Sequence, residues 1–264
     1  MKKKIGIGLF IAFVLLILVL PTKNIVEVNL ANKFHGMSME YPLGTDNLGR
    51  DVYSLMVEGC IRTLTVVFIS TAISLVVGTV LGMISGYFGG IVETVIQFIA
   101  DITLIIPSFI SALVFTAIFG LNPYSVGVVL GFTNMGEYII QVTALTKSMK
   151  NMEFIKAEEV LGIPSYKIIL KHILPNILKP LFTFMGNKAS NVTLQYASLA
   201  FIGLGVDITN PDWGTMLYQY RVYILNEPML VLWPTLGIFL LALFFHVVFD
   251  NDEDDQDKEV SLYD

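Results

Sequence analysis

Few residues in this chain could do chemistry, and their spacing limits what kind. The three histidines, His35, His172 and His246, stand far apart, and none sits in an H-E-x-x-H pattern. Cys60 is the single cysteine, which excludes an internal disulfide and a cysteine metal cage. No G-x-x-x-x-G-K-S/T stretch occurs, so ATP cannot be held by that loop. The polar residues that do stand out lie inside an apolar stretch: Asn187, Lys188, Ser190, Asn191, Thr193, Gln195 and Ser198. Of these, Asn187, Asn191, Gln195 and Ser198 recur every three or four residues, the spacing of one helix face. Such a face either hydrogen-bonds to a neighbouring helix or lines a translocation pathway. Lys188 favours the pathway, because an ionisable group at membrane depth is costly unless it is used, and Asp101 is the carboxylate expected to pair with it. An intramembrane enzyme would need two aspartates or a Ser–His pair at span depth, and only Asp101 is read there, with His246 at the end of the last span. That enzyme and a passive channel are two of the readings such a stretch admits.

A second stretch, "FIKAEEVLGIPSYKIILKHILPN" at residues 154–176, carries charge and helix breakers between long apolar runs. Asn151 can cap a short helix, and Glu153 in its first turn suits the positive helix end. Gly162 supplies a stop after Leu161, Pro164 cannot extend the helix, and Ser165 can cap a second short helix ending before Pro175. Lys156 is placed to pair with Glu153 or Glu159. Both pieces are amphipathic and too short to be stable alone, so they need a surface: lipid headgroups or a protein partner.

These residues are positioned by a membrane-spanning frame. The chain has 264 residues, 55% of them apolar and 14% charged, with a mean hydropathy of +0.71. That exceeds what one soluble core requires. The net charge of −6 belongs to the end of the chain, where residues 250–264 hold eight acidic side chains against Lys258. Runs long enough to cross a bilayer fall at residues 5–20, 64–85, 92–119, 124–145, 177–201 and 229–249. The first follows a basic "MKKK" and lacks a small-residue cleavage site, so it reads as an uncleaved anchor. Lysines collect on cytoplasmic loops, and six crossings from an inner N-terminus place Lys2, Lys3, Lys4, Lys147, Lys150, Lys156, Lys167, Lys171 and Lys179 inside. Both termini and the 154–176 segment are then cytoplasmic. Gly78, Gly82, Gly86 and Gly90 recur every four residues, a smooth strip for helix packing. Pro107 should kink the third span, and Trp213, near "NPDWG", reads as an aromatic anchor at the membrane interface.

The 154–176 segment resembles the cytoplasmic "EAA" loop of permease subunits of ATP-binding cassette importers, with Ala157, Gly162, Leu174 and Pro175 on the pattern. "YPLGTDNLGRDVYS" at 41–54, "GYFGG" at 86–90 and "SLAFIGLGVDITNPDWGTML" at 198–217 are similar to motifs of the dipeptide, oligopeptide and nickel subfamily. The resemblance implies an all-α polytopic fold of six transmembrane helices, the last five forming a type I importer domain with a cytoplasmic coupling helix. The chain divides accordingly into 1–61 (first helix and extracellular segment), 62–249 (the importer domain) and 250–264 (an acidic cytoplasmic tail). Expected partners are a sister permease, two cytoplasmic ATPase subunits and an extracellular solute-binding protein, with lipid around them and no nucleic acid. The chain itself would carry no cofactor, ATP and magnesium lying on the ATPases, so it is not an enzyme. Glu153, Lys156, Ala157, Glu158, Glu159, Gly162, Leu174 and Pro175 would couple to the ATPase. Lys156 and Glu158 depart from the pattern, which has a glutamate and an alanine there, and the acidic tail replaces a basic ending. The cargo would be a peptide or a nickel or metal chelate; the short outer segment leans towards the nickel branch.

Overall fold

A computed structural model describes residues 21–203, 207 and 209–249. The first predicted span, the acidic tail and part of the 198–217 motif lie outside the described residues. Helices dominate: α1 Val52–Phe88, α2 Gly90–Ile105, α3 Ser108–Phe119, α4 Pro123–Lys150, α5 Glu153–Val160, α6 Ser165–Ile202, α7 Trp213–Tyr220 and α8 Pro228–Phe249. Helices α1, α4, α6 and α8 are each long and apolar enough to cross a membrane, and α2 with α3, bent at a short break, is long and apolar enough as a pair. Together with the run at 5–20, these make up the six predicted spans.

Helix α1 begins twelve residues before the predicted span, because Asp51 caps it by accepting from the Ser54 amide. At about 1.5 Å per residue it is roughly 55 Å long, against a bilayer core of about 30 Å, so several turns project beyond the membrane. The third span departs more sharply from expectation. A proline disfavours the helical conformation of the residue before it, and Ile106 is extended (φ −88°, ψ 112°). The predicted kink at Pro107 is thus a full break, with α2 and α3 bent by 66°.

Helices α1 and α4 form the centre of the bundle by close approach of small residues. A Cβ added at Gly78 would fall 2.3 Å from Tyr138 Cβ, at Gly82 2.6 Å from Val142 Cβ and at Gly86 2.7 Å from the Thr143 carbonyl oxygen. The fit is reciprocal, since Gly127 and Gly131 of α4 face Ile69 and Ile73 of α1. Contact this tight admits an interhelical hydrogen bond, Ser74 Oγ to the Gly131 carbonyl at 2.7 Å. Gly90 does not extend the strip: nothing lies within 4 Å of its added Cβ, and with Gly89 it makes the left-handed turn (φ 54° and 67°) between α1 and α2. We expect Gly82→Leu to destabilise the protein by about 1–3 kcal/mol, seen as a lower melting temperature in detergent, whereas Val80→Leu on the exposed face should change it little.

The two ends of the bundle differ. At one end the 41–54 motif folds onto α7 around a buried ion pair, Asp46–Arg50 at 2.7 Å. Tyr220 donates to Asp46 Oδ2 at 3.1 Å, and Arg50 donates to Gln219. Trp213 is fully buried there, donating from Nε1 to the Met56 carbonyl at 3.0 Å. The expected interfacial anchor is therefore a core residue: Asp212 starts α7 by capping the Thr215 amide and turns the indole inward between α1 and α8. Burial pushes the Asp212 carboxyl above the usual range, against the pull of hydrogen bonds from Thr215 and Tyr196 and of the Arg62 charge. At the other end sit Lys147, Lys150, α5 and the start of α6, over an apolar cluster that includes Met83, Tyr87, Ile155, Ile168, Ile173 and Ile177.

Candidate functional site

The lysine-rich end carries a small knob. Helix α4 ends with Asn151 still in a helical conformation, and Met152 takes the N-cap position of α5 without a side-chain bond. Asn151 is thus the end of one helix and not the cap of the next. Ile155 anchors α5, fully buried in the apolar cluster. The exit from α5 is a Schellman motif: the Ile163 amide donates to the Glu158 carbonyl (3.1 Å), the Gly162 amide donates to the Glu159 carbonyl (3.1 Å), and Gly162 is left-handed at φ 74°. Ile163 packs against the same cluster and fixes the turn.

The second limb differs from the expected short helix. Pro164 holds its N-cap position and Ser165 is already helical. The limb runs through Pro175 into the fifth span without interruption. A single wide π turn at Ile169–Ile173 precedes Pro175, which has no amide to bond one turn back and whose ring would crowd a regular turn. The second limb of the knob and the membrane helix are therefore one rod, to which α5 is joined by the Gly162 turn.

The residues of the knob separate by role. Glu158 bonds inward to His172, Oε1 to Nε2 at 3.2 Å, and ties α5 to the π turn. Lys156 is exposed, and no ion pair joins it to Glu153 or Glu159 among the described residues. Glu153, Ala157, Glu159, Gly162 and Pro175 are also exposed, while Leu174 packs against the cluster. Around them stand large uncovered apolar side chains, Phe154, Tyr166, Val160 at 88% and Leu161 at 77% exposure. Sequence reading missed the His172 partner, although Glu and His on adjoining short helices are a plausible pair. An apolar crown on a polar knob is a shape suited to a protein groove.

The second set of polar residues lies along the middle of the spans. Lys188 of α6 makes an ion pair, and its partner is Glu137 of α4. The expected partner, Asp101, is exposed on α2 and lines a separate shallow groove with Glu93, Thr94 and Gln97. The signal for Glu137 was available, a lone carboxylate inside the span read at 124–145, and it was passed over. At about 1.5 Å per residue, Glu137 stands roughly 20 Å from either end of α4 and Lys188 about 20 Å from the Ile202 end of α6. The pair lies midway along both spans, the depth of a bilayer centre.

The predicted polar stripe is split. Asn134 of α4 donates to Gln195 Oε1 at 3.2 Å, and Gln195 Nε2 donates to Ser108 Oγ at 3.4 Å, next to the break between α2 and α3. Asn187 turns the other way and meets His246 of α8 at 2.9 Å. Asn191 and Ser198 are exposed. Among the described residues no group of three or more His, Cys, Asp or Glu side chains converges as a metal site would require.

Residues 78–251 match the family of binding-protein-dependent transport system inner membrane components. The chain is 32% identical to the dipeptide transport system permease protein DppC of Alkalihalophilus pseudofirmus, over 97% of this chain and 85% of that one. It is 30% identical to the metal-staphylopine import system permease protein CntC of Staphylococcus aureus, over 93% and 86%. To the glutathione transport system permease protein GsiD of Pectobacterium atrosepticum it is 27% identical, over 85% and 75%. An exposed apolar knob at one end, a charged pair at mid-membrane and a match spanning most of the chain lead to one assignment: the chain belongs to the inner membrane components of binding-protein-dependent transport systems, as a multi-pass permease of the peptide and nickel group of ABC importers and not as an enzyme.

Proposed function

We propose that this chain is one of two permease subunits of an ATP-driven importer that moves a small solute, a peptide or a nickel or other metal chelate, into the cell. The exposed knob carries the reading. Glu153, Lys156, Ala157, Glu159 and Gly162 lie on its surface beside Phe154, Val160 and Leu161, all uncovered in the isolated chain. Such a surface, held by a tight turn and the buried Ile155 against a rod that continues into the membrane, would transmit a push from a soluble motor to the spans.

Two ATPase subunits would supply that push, each binding ATP and magnesium, while this chain holds no cofactor of its own. The lysine bias supports a cytoplasmic position for the knob and both termini. The opposite end, where the 41–54 motif meets α7, would face the extracellular solute-binding protein. The pathway would run between this chain and its sister permease, along the face bearing Lys188, Glu137, Gln195, Asn191 and Ser198.

Coexpression with the neighbouring transport genes tests the assembly. A tagged chain should co-purify with the sister permease and both ATPases; a complex that keeps the sister permease and never holds an ATPase would contradict the coupling role. Lys156→Glu should weaken ATPase association by about tenfold, because an exposed charge tunes encounter and register at a docking surface, and binding measurements on the purified subunits read this directly. Equal affinity would show that the lysine is incidental.

A further inference from the structure

Lys188 and Glu137 bring opposite charges together at the middle of the membrane, and neither is sealed off: their side chains are 24% and 37% exposed. A charge pair open to lipid at that depth is expensive, so the open side faces water or a partner subunit. Nearby on the same two helices, Asn134 and Gln195 hold each other and reach Ser108 at the broken third span. Asn191, one turn from Lys188, is uncovered and free to offer both an acceptor and a donor. Phe184 lies 5.2 Å from Lys188 Nζ and closes one side of the charge. The face thus presents one cation, one anion and neutral amides side by side.

A pathway for neutral solutes would gain nothing from two partly exposed charges at this depth, and one for a simple anion or cation would carry a single sign. Resting on the importer reading above, we infer that the Glu137–Lys188 pair is a mid-membrane recognition site for zwitterionic solutes, those bearing both a free ammonium and a free carboxylate. In the resting state each side chain neutralises the other. During passage the solute's ammonium replaces Lys188 at Glu137 while its carboxylate takes Lys188 from Glu137. One pair within the protein becomes two pairs with the solute, so neither side chain is left bare at membrane depth. A solute with either terminus blocked leaves one of the two charges unpaired and is disfavoured.

The experiment uses the full importer with its binding protein in proteoliposomes. The probes are alanyl-alanine and glutathione, each compared with its own N-acetylated and carboxyl-amidated form, and a nickel–histidine chelate, whose amine and carboxylate are taken up by the metal, as a solute without free termini. ATPase association and basal hydrolysis of each complex are measured in parallel, so that a failure of the importer reading shows separately from a failure of this one. The wild type should take up at least one free zwitterion and prefer alanyl-alanine, or the zwitterion it carries, at least tenfold over a terminus-blocked form. The double variant Glu137→Gln with Lys188→Met should still assemble and hydrolyse ATP, yet lose that preference. The reversed pair, Glu137→Lys with Lys188→Glu, keeps both charges and should regain most of it, which also guards against a folding defect in the neutral variant. Retention of the preference in the double variant, its absence in the reversed pair despite normal assembly, or a wild type that carries no zwitterion of the panel would each overturn the inference.

Discussion

Val160→Asp combined with Leu161→Asp is expected to abolish ATPase association while leaving the permease folded. Both side chains are almost fully uncovered in the isolated chain, at 88% and 77% exposure. Substituting them costs the folded subunit at most about 0.5 kcal/mol, as at other exposed positions. In the docked state the same two side chains would be buried in a groove, and burying a valine or leucine contributes about 1.5–3 kcal/mol each. Losing both amounts to roughly 3–6 kcal/mol, a hundredfold or more in affinity at about 1.4 kcal/mol per decade. Two buried carboxylates would add a desolvation penalty. Size-exclusion analysis of the complex should show the sister permease retained and the ATPases lost, with an unchanged melting temperature. Unimpaired ATPase binding would mean that the crown of α5 faces something else.

Arg50→Met should have the largest effect on stability. It strips the buried Asp46 carboxylate of its guanidinium, an ion pair that is 2% and 0% exposed at its two side chains. Tyr220 and the amides of Leu48 and Arg50 still donate to Asp46, but they do not cancel its charge. Breaking a buried pair from one side costs about 3–5 kcal/mol. The double variant Arg50→Met with Asp46→Asn removes the bare charge and should recover most of that loss. Melting curves in detergent compare the three proteins. A single variant no less stable than the double one would show that the pair does not hold the 41–54 motif against α7.

The helical, membrane-spanning class and the five described spans were legible because twenty-residue apolar runs leave little choice. Gly78, Gly82 and Gly86 were equally legible, since a four-residue glycine repeat on an apolar helix has one common use. Gly90 shows where that logic ends. A repeat says nothing about a turn beginning at Gly89, which depends on backbone signs and not on side-chain spacing. Trp213 was misplaced because aromatic anchors and aromatic cores look alike in sequence; only the Met56 carbonyl, far away in the chain, decides between them. Pro175 was read as a terminator, yet the π turn ahead of it absorbs the missing amide and lets the helix run on.

The candidate site was legible in part. The Gly162 stop follows from local chemistry, and the Schellman bonds require only neighbouring residues. Lys188 stood out as an ion in an apolar run, but its partner required knowing which helix lies alongside. Asp101 and Glu137 are each lone carboxylates in a span, and helix packing selects Glu137 by placing α4 against α6. In the same way Glu158, which departs from the pattern the segment resembles, is explained by His172 across the turn. Lys156 is left as the altered charge that a partner would meet.

Reconstitution with ATP inside the vesicles and binding protein outside, or the reverse for inverted insertion, tests the central claim most directly. The importer account predicts that radiolabelled solute accumulates above its external concentration only when ATP is on the knob side and the binding protein on the other, and that Val160→Asp with Leu161→Asp abolishes this. Solute that merely equilibrates across the membrane, at the same rate without ATP, would contradict it.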